Sequence, residues 1–333
     1  MVNVLVTMPF TDSQLDPLRA VSPTLRITRE ADGRADYARA EILYTGAPPR
    51  DLSRAPGLKW VQVHMAGVNT LLDHPLYTDT SILLTTTSGV HAGTIAEYAV
   101  TALLALAHRV PRMVDWQAKG TWPPDKDRWS LFVPTEVRGS TLGIIGYGSI
   151  GRELARIAKT AFGMTILACK RDPSRREDSG YARRGTGDPE GALPDAWFSP
   201  EKITELLARS DAVVMCAPLT PATERMIGAD ELRAMKPSAY FVNVGRGATV
   251  DEAALARALA EKRIAGAAID VFAEEPPPIG HPFYQLDNVL VSPHVSGFLP
   301  SYDDRCVELF AENLRRYLAD APLLNLVDRA KGY

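Results

Sequence analysis

Gly143-Ile144-Ile145-Gly146-Tyr147-Gly148-Ser149-Ile150-Gly151 reads as an apolar strand that ends in Gly-x-Gly-x-x-Gly and runs directly into a helix. Leu154, Ile157 and Ala158 continue at helical spacing, and Met164 to Cys169 forms a second apolar run. Strand, glycine-rich turn, helix, strand is the context in which this spacing signals a dinucleotide site. Gly146 permits the tight turn, Gly148 leaves room for a pyrophosphate, and Gly151 lets helix and strand pack closely. Ser149 and Ile150 open the helix, whose N-terminus offers N–H groups and a positive dipole end to phosphate.

The α/β rhythm continues outward from this stretch. Ala212–Ala217, Tyr240–Val244, Gly266–Val271 and Val289–Val291 are candidate buried strands, with helical patterns at Glu201–Ala208, Ala229–Met235 and Glu252–Glu261 between them. Alternation of this kind implies a parallel sheet covered by helices on both faces. Upstream, Val2–Val6, Ile42–Tyr44, Trp60–Val63 and Ile82–Thr85 are strand candidates, Gly93 to His108 a long Ala- and Leu-rich helix, and Gly120 to Val137 loop-like. The fingerprint strand starts only at Thr141, so the first hundred or so residues form a different unit. Tyr302 to Leu318 places Cys306, Leu309, Phe310, Asn313, Leu314 and Tyr317 on one helical face, and can return to complete that first unit.

The expected fold is therefore α/β: two Rossmann-like domains with doubly wound parallel sheets. Residues 1–101 and 299–333 form a substrate-binding domain, and 102–298 a dinucleotide-binding domain. The segment Arg171 to Pro200 is out of character, being rich in Arg, Gly, Pro and Asp. It is long for a connection in a compact domain, which marks it as functional or loosely ordered.

Composition sets the outer limits. The 333 residues accommodate two domains, and a 46% hydrophobic content supports large cores. A net charge of -3 argues against a non-specific nucleic-acid surface. Cys169, Cys216 and Cys306 are isolated, with no metal-ligand or redox spacing, so no metal is expected. The start, Met1-Val2-Asn3-Val4-Leu5-Val6, lacks the pattern of a signal peptide, and the apolar stretch from Ala96 to Ala107 is too short to span a bilayer. The expectation is a cytoplasmic protein with no membrane or nucleic-acid partner.

Four further segments follow the fingerprint in order: Ala217-Pro218-Leu219-Thr220, Val242-Asn243-Val244-Gly245-Arg246-Gly247, Asp270-Val271-Phe272-Ala273-Glu274-Glu275-Pro276 and Ser292-Pro293-His294. With the glycine-rich run they resemble the D-isomer-specific 2-hydroxyacid dehydrogenases over nearly the whole chain. The resemblance implies catalysis by Arg246, Glu275 and His294. Glu275, not Glu274, is the acid, because the family's acid stands immediately before Pro276. It also implies that Asp270 binds the nicotinamide carboxamide, and that Thr94, Ala217 and Pro218 lie against the cofactor. His64-Met65-Ala66-Gly67-Val68-Asn69 looks like the family's substrate loop, so Ala66, Gly67 and Val68 hold the substrate carboxylate with Arg246; His91 is left as structural. The residue types suit reduction of a 2-keto acid. An imidazole titrates near working pH, a carboxylate orients its ring, and a guanidinium grips carboxylate and carbonyl in a planar fork. Substrate would lie in a cleft between the domains, and closure would exclude water.

NAD-preferring members place an acid at the end of the strand after the fingerprint, about 20 residues on. Here Lys170 and Arg171 stand there, which favours NADP over NAD, while Asp172 offers an acid two residues later. Ser174 to Ala196 would help hold the adenosine end or form variable surface. The resemblance implies a homodimer paired through the helix at Gly93 to His108 and its adjoining segment, where Trp116, Trp122 and Trp129 follow. Two rivals are a nucleotide-sensing corepressor-like protein of the same fold and a formate dehydrogenase. Glu275 argues against the latter, which carries Gln before the Pro.

Overall fold

The structure, a computed structural model, describes residues 1–31 and 34–332; residues 32, 33 and 333, which the sequence reading included in the first domain, lie outside the described residues. The chain divides into two compact units. The first is Met1–His91, Ser179–Arg183 and Leu299–Tyr333; the second is Ala92–Asp178 and Arg184–Phe298.

The first unit runs β1 (Val2–Val6), α1 (Asp12–Arg19), β2 (Leu25–Arg29), β3 (Ile42–Thr45), β4 (Trp60–Val63), α2 (Pro75–Thr78) and β5 (Leu83–Thr85). Its sheet is wholly parallel in the order β2-β1-β3-β4-β5, a doubly wound arrangement. β3 and β4 are buried at every residue, which explains their largely apolar sequence. β2 was not read from sequence. It is an edge strand with β1 as its partner, and Leu25-Arg26-Ile27-Thr28-Arg29 carries two arginines and a threonine in five residues.

The second unit runs α3 (Ala92–Ala107), α4 (Val110–Ala118), α5 (Asp125–Phe132), β6 (Thr141–Ile145), α6 (Ser149–Phe162), β7 (Thr165–Cys169), β8 (Ala196–Phe198), α7 (Ile203–Arg209), β9 (Ala212–Met215), α8 (Ala229–Ala234), β10 (Tyr240–Asn243), α9 (Glu252–Ala260), β11 (Gly266–Ile269) and β12 (Val289–Val291). Its seven parallel strands take the order β12-β11-β10-β9-β6-β7-β8. The order reverses between β6 and β9, so the ends of these two strands flank the crevice where doubly wound sheets bind ligands. Alternate strand residues feed separate cores. Ile145, Leu167, Val213 and Phe241 enter one; Leu142, Ile144, Ile166 and Val242 enter the other.

Several boundaries differ from the sequence reading. A division at 101/102 cuts α3, whereas Ile95, Ala99, Leu103 and Leu106 bury the whole helix in the second unit's core. The loop-like stretch 120–137 contains α5, preceded by Pro124. The Arg-rich connection ends in the three-residue strand β8, too short to leave a periodic signal.

The last helix, α10 (Tyr302–Leu318), belongs to the first unit. Cys306, Leu309, Phe310 and Leu314 join its core, and Phe310 packs on Tyr44 and Trp60 at ring separations of 4.8 and 5.2 Å. Asn313 is fully buried but satisfied: Leu324 N donates to its Oδ1 at 2.8 Å, and its Nδ2 donates to Leu324 O. Among the described residues no helix is long and apolar enough to cross a membrane, and no cluster of His, Cys, Asp or Glu could hold a metal ion.

Candidate active site

The fingerprint glycines meet three different demands. Gly146 has φ +97, and a Cβ there would lie 2.5 Å from Ala217 N. A Cβ on Gly151 would lie 2.5 Å from Gly146 O, so only glycine lets α6 sit this close to the turn. A Cβ on Gly148 would meet nothing within 4 Å; the open space lies where a pyrophosphate would approach. These residues fit a dinucleotide. Ser149 and Ile150 begin α6, and buried Ala217 with exposed Pro218 follows β9 across the reversal point. Thr94 sits half-buried in the first turn of α3.

β11 and β12 carry an interlocked turn. His294 Nδ1 and Glu275 Oε2 are 2.7 Å apart, and Phe272 N donates to Glu275 Oε1 at 2.9 Å. Both carboxylate oxygens are thus committed, one to the ring and one to its own loop. His294 has φ 53, a left-handed conformation uncommon outside glycine. Asp270 holds it there. His294 N donates to Asp270 O at 2.8 Å, Val295 N to Oδ1 at 2.9 Å and Ser296 N to Oδ2 at 3.1 Å. Ser292 Oγ donates to the same Oδ1 at 2.6 Å and lies 2.5 Å from the Tyr98 hydroxyl of α3. Asp270 is 0% exposed, and three donors occupy its carboxylate. In the structure it anchors the His294 turn.

Arg246 follows β10 and is half-buried, with Nη1 donating to Gly245 O at 2.7 Å. Burial pulls its pKa down, and the Glu275 charge partly offsets this. Gly247 brings the Arg246 segment against the Glu275 loop: a Cβ there would overlap the backbone of Phe272 and Ala273. Arg246, Glu275 and His294 therefore come from three strand ends tied by backbone contacts.

In the first unit, Ala66 and Gly67 are half-buried and Val68 buried in the loop after β4. His64 precedes this loop, its Nδ1 2.7 Å from Tyr44 Oη and its Nε2 3.2 Å from Asp303 Oδ1. Burial pushes the His64 pKa down, with Asp303 partly opposing. At the end of β7, Lys170 Nζ donates to Arg175 O at 2.6 Å. Burial and then the neighbouring Arg152 lower its pKa. Arg171 is exposed. Asp172, the alternative acid, accepts from Ser174 N at 3.0 Å and Ser174 Oγ at 2.6 Å.

Residues 100–296 match the family profile described as D-isomer specific 2-hydroxyacid dehydrogenase, NAD binding domain. The chain belongs to this family. It is accordingly an oxidoreductase with a Rossmann-type domain for a nicotinamide cofactor. A glyoxylate reductase of Korarchaeum cryptofilum is 38% identical over 277 residues, 83% of this chain and 77% of the relative. Among solved structures, a D-isomer specific 2-hydroxyacid dehydrogenase of Xanthobacter autotrophicus Py2, in complex with NADPH and MES, is 28% identical with a TM-score of 0.79. The match covers 100% of this chain and 99% of that one. An NADPH-dependent glyoxylate/hydroxypyruvate reductase of Sinorhizobium meliloti, in complex with citrate, is 26% identical with a TM-score of 0.69, covering 99% and 98%.

Sequence reasoning gave no part to Tyr98, which touches Ser292 in this dehydrogenase, nor to Arg152 of α6 and Asp188 of the insertion, which hold the two together. Tyr98 lies in an apolar run that reads as core. Arg152 and Asp188 acquire meaning only when the insertion folds back on α6, and neither stands in a motif.

Proposed function

We propose that the chain reduces small 2-keto acids to D-2-hydroxy acids, with NADPH preferred over NADH. The observation that carries this reading is the 2.7 Å pairing of His294 with Glu275 on a turn anchored by Asp270. Nδ1 is committed to the carboxylate, so Nε2 is the atom that carries a proton to the substrate carbonyl oxygen. Glu275 fixes ring orientation. Arg246 supplies a guanidinium fork for carboxylate and carbonyl. Ala66, Gly67 and Val68 offer backbone to the substrate carboxylate, by family resemblance. When bound, the cofactor supplies the hydride.

The cofactor preference rests on Lys170 at the ribose position and on Asp172 being engaged with Ser174. The similar Xanthobacter protein was solved with NADPH, and the Sinorhizobium relative is described as NADPH-dependent. We further propose a homodimer. One face of α3 is buried in its own core, and the pairing surface combines the rest of that helix with the adjoining segment. There Val114, Trp122 and Trp129 are 55%, 77% and 79% exposed.

The test is a panel of 2-keto acids, glyoxylate and hydroxypyruvate included, assayed with NADPH and NADH in parallel, with the chirality of each product determined. Turnover to D-products with a lower KM for NADPH supports the reading. Cofactor binding without turnover on any keto acid would favour the nucleotide-sensing alternative.

A further inference from the structure

The Arg-rich insertion is built around buried groups of the fingerprint helix. Arg152, the residue after Gly151, has a side chain only 3% exposed. Its Nη2 donates to Arg176 O at 2.6 Å, its Nη1 donates to Asp188 O, and its Nε lies 3.3 Å from Asp178 Oδ2. The guanidinium also lies over the Tyr147 ring, 5.0 Å from its centroid. Tyr147, inside the fingerprint, donates its hydroxyl to Asp188 Oδ2 at 2.8 Å. Asp188 is 6% exposed and also accepts from Ala192 N and Leu193 N. Asp178 N donates to Pro189 O at 2.9 Å, and Gly187 N to Glu153 Oε2 at 2.6 Å.

A buried guanidinium is costly unless its donors are used. Here Nη1 and Nη2 grip the insertion at two carbonyls, while Nε has the Asp178 charge nearby but no hydrogen bond. One of these, Arg176 O, is the next carbonyl after Arg175 O, which receives the Lys170 ammonium. The turn holding Lys170 is thereby hung from the helix that opens at the fingerprint.

We propose that Arg152, supported by Asp188 and Tyr147, is a specificity-positioning residue: it fixes the 172–176 turn so that Lys170 stands ready for a 2′-phosphate. Arg152 itself touches no cofactor. It acts by limiting where the Lys170 partner can move, which matters for a charged contact and little for a ribose hydroxyl. This inference rests on the NADPH preference proposed above.

The experiment measures binding by calorimetry, with NADP+ and NAD+ and with adenosine 2′,5′-bisphosphate against AMP, on wild type, Arg152→Met, Arg152→Lys and Tyr147→Phe. Loss of a held charge-assisted contact should lower the NADP+ preference about 10-fold in Arg152→Met. The bisphosphate should lose affinity in step, while NAD+ and AMP change little. Arg152→Lys, without the fork, should not restore the preference. Tyr147→Phe should shift the ratio in the same direction by a smaller factor. It loses one hydroxyl, so it decides the question if Arg152→Met does not fold. A wild-type preference that survives in both Arg152→Met and Tyr147→Phe would overturn the inference alone, as would equal losses for NADP+ and NAD+. A wild type that binds NAD+ as well as NADP+ would overturn the cofactor reading and the inference together.

Discussion

Gly247→Ala tests whether the catalytic segments are held together as described. The new Cβ would overlap the carbonyl carbon of Phe272 and the amide of Ala273, both backbone atoms that no rotamer change can clear. Restoring an ordinary carbon–carbon separation requires one segment to move by more than about 1 Å. The Phe272 amide holds Glu275 Oε1 at 2.9 Å, and Glu275 holds His294, so the shift reaches the proton-carrying ring. Misplacement by about 1 Å costs roughly 100-fold in rate. Overpacking typically costs about 1–3 kcal/mol, and a clash with backbone falls at the upper end of that range or above it, so folding is checked on the same preparation. Steady-state kinetics with a 2-keto acid and NADPH, alongside thermal unfolding, should show kcat/KM down by roughly 100-fold with a modest fall in Tm. Gly57→Ala is the control: its Cβ would stand 3.6 Å from Ala40 O, an ordinary contact, and activity should be unchanged. A Gly247→Ala enzyme with wild-type kcat/KM would refute the coupling of the two segments.

Other consequences can be measured separately. Arg246→Lys retains charge but loses the planar fork, so both KM and kcat for the keto acid should worsen; unchanged kinetics would place the carboxylate grip elsewhere. His64 has a lowered folded pKa because it is buried. As pH falls below about 6.5 the unfolded chain takes up a proton that the folded chain resists, so stability is lost from there down to the folded pKa. His64→Gln should remove this part of the decline in Tm between pH 7 and 5.5, and an identical decline in the variant would contradict the assignment. Trp122→Ser with Trp129→Ser should lower the mass found by light scattering at micromolar concentration from dimer towards monomer; a wild type already monomeric would rule out the pairing surface.

The fold was legible wherever a strand is buried on both faces. β3, β4, β9 and β10 are buried at every residue and read as largely apolar runs, with Thr45, Gln62 and Asn243 the polar residues among them. β2 and β8 were missed because both are edge strands: β2 is broken by two arginines, and β8 is a short piece at the end of an Arg-rich connection. At the site, Arg246, Glu275 and His294 were legible because each stands in a short motif at a strand end. That Asp270 also anchors the His294 turn was not legible, since its three donors come from residues 292–296, whose fold is invisible in sequence. Much of the apolarity of α3 reflects burial in its own unit, which sequence alone does not separate from an interface. The insertion had no periodicity to read because a buried arginine and an aspartate, not an apolar face, hold it.

The central claim is that His294, oriented by Glu275, carries the proton in reduction of a 2-keto acid. Its most direct test is the turnover of His294→Gln with NADPH and the best keto acid of the panel, with NADP+ affinity measured on the same preparation. The account predicts kcat lower by roughly 100-fold or more with cofactor affinity nearly unchanged. Near wild-type turnover would contradict it.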